Sequence, residues 1–447
     1  MMTAEIAVWN RSGIALAADS AATTINGFSE KIYNNADKLF ELSNDHPVAI
    51  MIYNNATLCN APWELLIKSF RKQLPQKPYS SIKDYCDAFF DYIQKSKPII
   101  TENMRDEFLI STYTNAIIHK ILQQVQYEDV TLFLKTNNSP PTPAQYQSFI
   151  ESRANEALAK ITNNNYFKDF DSSDFALAQQ FFRNTIFQIC SARIVPIIES
   201  DGGITYSQGM ENALVELLAT YTCKENDLDT YSGIVIAGYG DDEYYPVIQA
   251  HHVFGMFNNK LMIHSNKDKN NDDYWSGITP FAQDDEVHTF MKGCSKGIIN
   301  CVHESLEISF KNLKVEVVNM LTYQNTSYNR VDIESAFDAV ILSQINNAKF
   351  MVENHAVQNH VNKVLSILDS LAKVDLGYMA ESLVNLTAFK RKVSNDSDSV
   401  GGPIDVAVLS KGDGFVWLKR KHYFDKDLNY KFLIEGRGGL NEFTASN

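Results

Sequence analysis

Residues 1–24 read MMTAEIAVWNRSGIALAADSAATT. Two apolar, β-compatible runs, EIAVW (5–9) and GIALAAD (13–19), are parted by Asn10-Arg11-Ser12-Gly13, the residues of a tight hairpin. Thr3 stands just ahead of the first run and Asp19 closes the second. KLFEL (38–42) and PVAIMIY (47–53) form a second pair across Ser43-Asn44-Asp45-His46. Four short strands in such a span predict one antiparallel sheet.

Beyond residue 60 the period changes. In APWELLIKSFRKQL (61–74), Trp63, Leu66, Ile67, Phe70 and Leu74 fall on one helical face, and Pro62 suits the first helical position. SSIKDYCDAFFDYIQ (80–94) aligns Ile82, Tyr85, Phe89 and Ile93 behind serine caps. Residues 100–226 keep a helical period, broken at NNSPPTPA (137–144). Strand character returns at SGIVIAGYG (232–240) and YYPVIQAHHVFG (244–255), and SNKDKNNDD (265–273) reads as an exposed, mobile loop. Helical patterns occupy 284–313, 331–352 and 358–391; in the last, Val361, Val364, Leu365, Leu368 and Leu371 share a face. PIDVAVLS (403–410) and GFVWLKR (414–420) make a closing hairpin. This order predicts an α+β fold, a four-layer αββα sandwich with large helical insertions. One domain would span 1–447, with its core from 1–98, 228–260 and 376–425 and its insertions at 99–227 and 275–375.

Composition narrows the function. The chain has 447 residues, 45% of them hydrophobic, and a net charge of −14, so no basic face meets nucleic acid or anionic lipid. The largest basic cluster, KRKH at 419–422, does not reverse this. No run approaches the ~18 apolar residues of a membrane span. The N-terminus lacks the charged and apolar regions of a secretion signal. Six cysteines without CxxC spacing read as buried thiols in a reducing compartment, so a cytoplasmic protein is expected. GxSxG, GxxxxGK[ST] and HExxH are absent. His251-His252 and His303-Glu304 are adjacent and face apart, and His355 and His360 are poorly spaced as ligands, so no metal is expected. After Gly238-Tyr239-Gly240, Glu243 replaces the third glycine of a dinucleotide fingerprint, so no cofactor is expected either. The Asp241-Asp242-Glu243 run reads as a solvated loop.

What remains is Thr3, Asp19 and Lys38. TAEIAVWNRSGIALAADSAAT resembles the N-terminus of proteasome β subunits and of the related bacterial heat-shock peptidase, which are N-terminal-nucleophile (Ntn) hydrolases. Asp19 lies sixteen residues after Thr3, the spacing of that family, and Ser20 and Thr23 also match. Lys38 matches the family lysine if the 24–37 loop is three residues longer; Lys31 is the rival, but only Lys38 leads into a strand. The match is close over the first sixty residues, and SVGGPIDVAVLSKGDGF (399–415) resembles a later strand pair. The resemblance implies an Ntn-hydrolase sandwich in which Thr3 attacks an amide carbonyl, its α-amine takes the proton, Lys38 tunes that amine and Asp19 orients Lys38. It also implies an oxyanion donor in the backbone at Tyr53 or Asn54, where the family has a glycine-rich turn and this chain reads MIYNNA. Supporting contacts to the amine would come from Asp398 and Ser399, one residue out of step with Gly401-Gly402.

The chemistry is coherent in itself. A threonine hydroxyl needs a base to attack, and a free α-amine titrates near ~8, close to the working range. Taken singly, Thr3 is an ordinary β-former, Asp19 a turn cap and Lys38 a solvated strand edge. In the order and spacing of the family they resemble, they imply hydrolysis of amide bonds, in peptides or proteins, through an acyl-threonine. The alternatives are a small-molecule amidase or acyltransferase of the same fold, and a catalytically inactive scaffold. By resemblance the partners are copies of the chain, a ring among the options, and an unfoldase or other regulatory protein. Met1 and Met2 precede Thr3. A free amine requires the Met2–Thr3 bond to be cut, by one trimming step if translation starts at Met2 or by Thr3 itself.

Overall fold

The computed structural model of the chain describes residues 3–26, 29–43, 45–96, 98–191, 207–271, 275–324, 329–393, 400–422, 424–425 and 428–429. Met1, Met2, Asp398 and Ser399 lie outside the described residues.

Strands β1 (Glu5–Asn10) and β2 (Gly13–Ala18) form the expected hairpin, with Asn10 opposite Gly13. The Asn10 side chain tightens it, its Oδ1 accepting from the Ser12 N–H at 2.8 Å. A further hairpin, β3 (Ala22–Asn26) and β4 (Ser29–Tyr33), occupies part of the stretch expected to be a loop. Strands β5 (Leu39–Glu41) and β6 (Val48–Asn54) pair as expected. After the short pair β7 (Thr57–Leu58) and β8 (Ala61–Pro62) come β9 (Ser232–Gly238), β10 (Val247–Phe257), β11 (Lys260–Ser265), β12 (Gly277–Pro280), β13 (Asp405–Ser410) and β14 (Gly414–Lys419).

The first four expected strands do not share a sheet. One five-stranded sheet runs β12-β1-β2-β13-β14 and another β11-β10-β9-β6-β5, both antiparallel. The physical reason is burial. Every residue of β1, β2, β9 and β13 is buried, and the two sheets achieve this by stacking, each covering the inner face of the other, which a single sheet of these strands could not do for itself. Ala7, Trp9, Ile14 and Leu16 of one sheet meet Leu39, Met51, Val235 and Ile248 of the other in a shared core. Helices Trp63–Arg71 and Ile82–Lys95 cover the outer face of the second sheet, and helix Lys373–Val393 that of the first. The fold is therefore mixed helix and strand with antiparallel sheets.

Several local expectations need correcting. Pro62 sits at the N-cap with ψ 133°, and Trp63 opens the helix. Residues 358–391 are not one helix: the chain breaks after Leu368, where the carbonyls of Leu368 and Leu371 accept from Asn10 Nδ2 at 2.9 Å, and a new helix starts at Lys373. The 265–273 stretch is partly tied down, since Asn271 Oδ1 accepts from Ile248 N at 2.7 Å and Asn270 Oδ1 from Ala250 N at 2.9 Å. Ahead of it, β10 and β11 are joined by Asn258 and Asn259 at φ 48° and 60°, a left-handed pair of the kind that closes tight hairpins. Glu243 is no solvated loop residue; its Oε2 accepts from Gly240 N and from Ile82 N at the start of a helix. Cys59, Cys86, Cys190 and Cys223 are buried, but Cys301 is exposed. Among the described residues no helix is long and apolar enough to cross a membrane.

Candidate active site

Strand alternation builds the site. In β1, Ala7 and Trp9 point into the core between the sheets, and Glu5 and Thr3 continue that face at period two. Thr3 Oγ1 donates to Glu5 Oε2 at 2.8 Å. Lys38 arrives from the other sheet, one residue before β5, with Nζ 2.5 Å from Asp19 Oδ1 and 3.1 Å from Glu5 Oε1. The second contact is a buried ion pair, so Lys38 bridges the two carboxylates. None of Thr3, Glu5, Asp19 and Lys38 is more than 5% exposed. The rival Lys31 stands in β4 opposite Thr24, exposed to solvent.

Asp19 is held from several sides. Its Oδ1 also accepts from Ala4 N at 3.2 Å, and its Oδ2 accepts from Gly401 N at 2.9 Å and Ala21 N at 3.4 Å. Ser20 fastens the same strap, its N–H to the Gly401 carbonyl at 3.1 Å and its hydroxyl to the Pro403 carbonyl at 2.5 Å. The glycines before β13 thus close over the end of β2. Burial is the largest influence on Glu5 and pushes its carboxyl up to about 7, with Lys38 opposing and Asp19 adding to the rise.

Thr3, Ala21, Lys38, Tyr53 and Asn54 line one small cleft, of about 30 Å³. Asn54 has φ 65°, a left-handed conformation that asparagine adopts more readily than most residues. The turn at MIYNNA, expected to lack glycine, is made by this asparagine. Tyr53 is buried, its hydroxyl sharing a hydrogen bond with His252 Nε2 at 2.9 Å, and the His252 ring stacks on Tyr231 at 3.9 Å. Desolvation pushes His252 down to about 4, so the ring is neutral near pH 7, and Asn266 Nδ2 also lies 3.0 Å from its Nε2.

The structure therefore brings together Thr3, Asp19, Lys38, Tyr53 and Asn54. Glu5 is the member that sequence reasoning missed. Its signal was present: a carboxylate two residues from Thr3, hence on the same strand face, in a run otherwise apolar. Among the described residues no group of three or more His, Cys, Asp or Glu could hold a metal ion. The arrangement offers a hydroxyl bonded to a carboxylate whose affinity for protons lies near neutrality, the minimum needed to activate an oxygen nucleophile. In comparison with known proteins, the chain matches no family model and no curated sequence.

Proposed function

We propose that the chain is a threonine hydrolase of the Ntn type, an αββα sandwich that cleaves amide bonds through an acyl-threonine intermediate. The observation that carries this reading is the Thr3 hydroxyl, buried at the edge of a cleft and bonded to a carboxylate beside Lys38 and Asp19. A threonine serving only as a β-former needs no such company. Thr3 is the nucleophile. Asp19, tied to backbone N–H groups on two segments, fixes Lys38. The Tyr53–Asn54 end of β6 borders the cleft and is the proposed place of the oxyanion donor. A peptide or protein substrate, self-association and an unfoldase partner belong to the same reading. The narrow cleft favours a second one, a small-molecule amide with a short acyl group, because about 30 Å³ holds little more than one small group.

The test is Thr3→Ala against a panel of fluorogenic peptides and short-chain acyl amides. Wild-type turnover lost in Thr3→Ala supports the reading, and the preferred panel member separates peptidase from amidase. Equal turnover in both proteins would remove Thr3 from the chemistry.

A further inference from the structure

We propose that Glu5, and not an α-amine, is the general base that takes the proton of the Thr3 hydroxyl. The inference rests on the reading of Thr3 as nucleophile. It starts from reach: Glu5 Oε2 accepts from Thr3 Oγ1 at 2.8 Å, inside the distance a proton-transfer partner needs. Asp19 is occupied, since Oδ1 accepts from Ala4 N and Lys38 and Oδ2 from Gly401 N and Ala21 N. Lys38 has its Nζ directed to Asp19 Oδ1 and paired with Glu5 Oε1. Of the three charged side chains, Glu5 alone is bonded to the hydroxyl.

The surroundings suit the task. A carboxylate at its usual value would be too weak a base, but burial lifts Glu5 to about 7. The titratable groups facing it are Lys38 from before β5, Asp19 from the end of β2 and Tyr53 from β6. Lys38 keeps the rise from going further.

The steps balance. As the Thr3 Oγ–carbon bond forms at the substrate carbonyl, the hydroxyl proton passes to Glu5 Oε2 and the carbonyl π pair moves to its oxygen. Collapse breaks the carbon–nitrogen bond, and the Glu5 proton goes to the departing amine. A water then attacks the ester and yields a proton to Glu5; collapse releases the acid, and Glu5 returns that proton to Thr3 Oγ. Amide plus water gives acid plus amine. No step needs a free amine on Thr3, so residues ahead of it do not by themselves silence the hydroxyl.

The experiment uses p-nitrophenyl acetate on the full chain, with the first residue read by intact mass and acetylation of Thr3 followed by peptide mapping from pH 5 to 9. The expected results are a rate that rises through about pH 7, a loss of at least ~100-fold in Glu5→Gln and a smaller loss in Glu5→Asp. In Glu5→Ala, added formate restores part of the rate, which a purely structural role for Glu5 would not permit. If wild type acetylates Thr3 and folded Glu5→Gln does so as fast, the base assignment fails while the nucleophile stands. If wild type never acetylates Thr3, both readings fall. Should Glu5→Gln not fold, a wild-type rate flat from pH 5 to 8 overturns the proposal.

Discussion

The Thr3 cluster and the long helix pair Lys296–Gln324 and Arg330–Ala356 treat charge in opposite ways. In the cluster, two carboxylates and a lysine are sealed between sheets, each within 5% exposure. In the helix pair, Lys314–Asp338 and Lys349–Glu307 lie at the surface, and Val318, Ile345 and Ala356 are the buried residues described there. Ile308, Met320, Val340 and Phe350 are each more than half exposed. A buried charge must have its partners specified to within a bond length, because an unpaired one is costly. A surface charge can exchange its partner for water at little cost. Chemistry that depends on fixed distances therefore belongs to the first region.

The sharpest way to break this comparison is to remove one lysine from each. Lys38→Met leaves Glu5 and Asp19 buried beside each other without their cation, and is expected to cost about 3–5 kcal/mol. Lys314→Met frees an Asp338 side chain that is 66% exposed, and should cost less than about 1 kcal/mol. Urea midpoints of the two variants measure both. Equal losses would mean that the Lys38 cluster is not an electrostatic unit.

This contrast also explains what was legible in the sequence. The β1–β2 hairpin was readable because Asn10 to Gly13 is a local turn signal and the flanking runs are apolar. Lys38 was separable from Lys31 because only Lys38 precedes a strand. The assignment of β1–β2 and β5–β6 to different sheets was not readable, since a mainly apolar strand carries no mark of which sheet it joins. β12 escaped notice because four residues, Gly277–Pro280, give too short a pattern. The break after Leu368 depends on the Asn10 side chain, some 358 residues away in sequence. Glu5 was passed over because a charge within a strand reads as an irregularity until its partners are visible.

The two regions should also answer pH with opposite signs. Glu5 is raised from 4.5 to about 7 in the folded chain, so its contribution to stability is fully present below about 4.5 and is lost as pH rises through about 7. Lys38, Asp19 and Tyr53 are the titratable groups that face it. Glu307, hydrogen-bonded to Lys349, is lowered instead; its contribution is present above 4.5 and fades as pH falls below that value. Urea midpoints between pH 4 and 8 are expected to show Glu5→Gln flattening the decline on the alkaline side. Glu307→Gln should change only the acid end, and by less. An unchanged alkaline decline in Glu5→Gln would show that some other group carries it.

The mildest comparison sets one glycine against another. A Cβ on Gly233 in β9 would come within 2.1 Å of the Tyr53 ring. That ring cannot move freely, because Tyr231, His252 and Phe281 pack about it and its hydroxyl is held by His252. Gly233→Ala is therefore expected to cost about 1–3 kcal/mol by overpacking. It should also slow Thr3 acetylation, since Tyr53 lines the cleft. Gly297, the second residue of helix Lys296–Gln324, has only Ser295 Oγ near its prospective Cβ, at 4.0 Å. Gly297→Ala should thus be neutral or stabilising by less than about 1 kcal/mol, through helix propensity. Thermal melting of the two variants, with acetylation rates alongside, sharpens the contrast. A Gly233→Ala protein that melts and acetylates like wild type would mean that the wall of the cleft yields, and that the fixed geometry claimed for the site does not extend beyond the four side chains themselves.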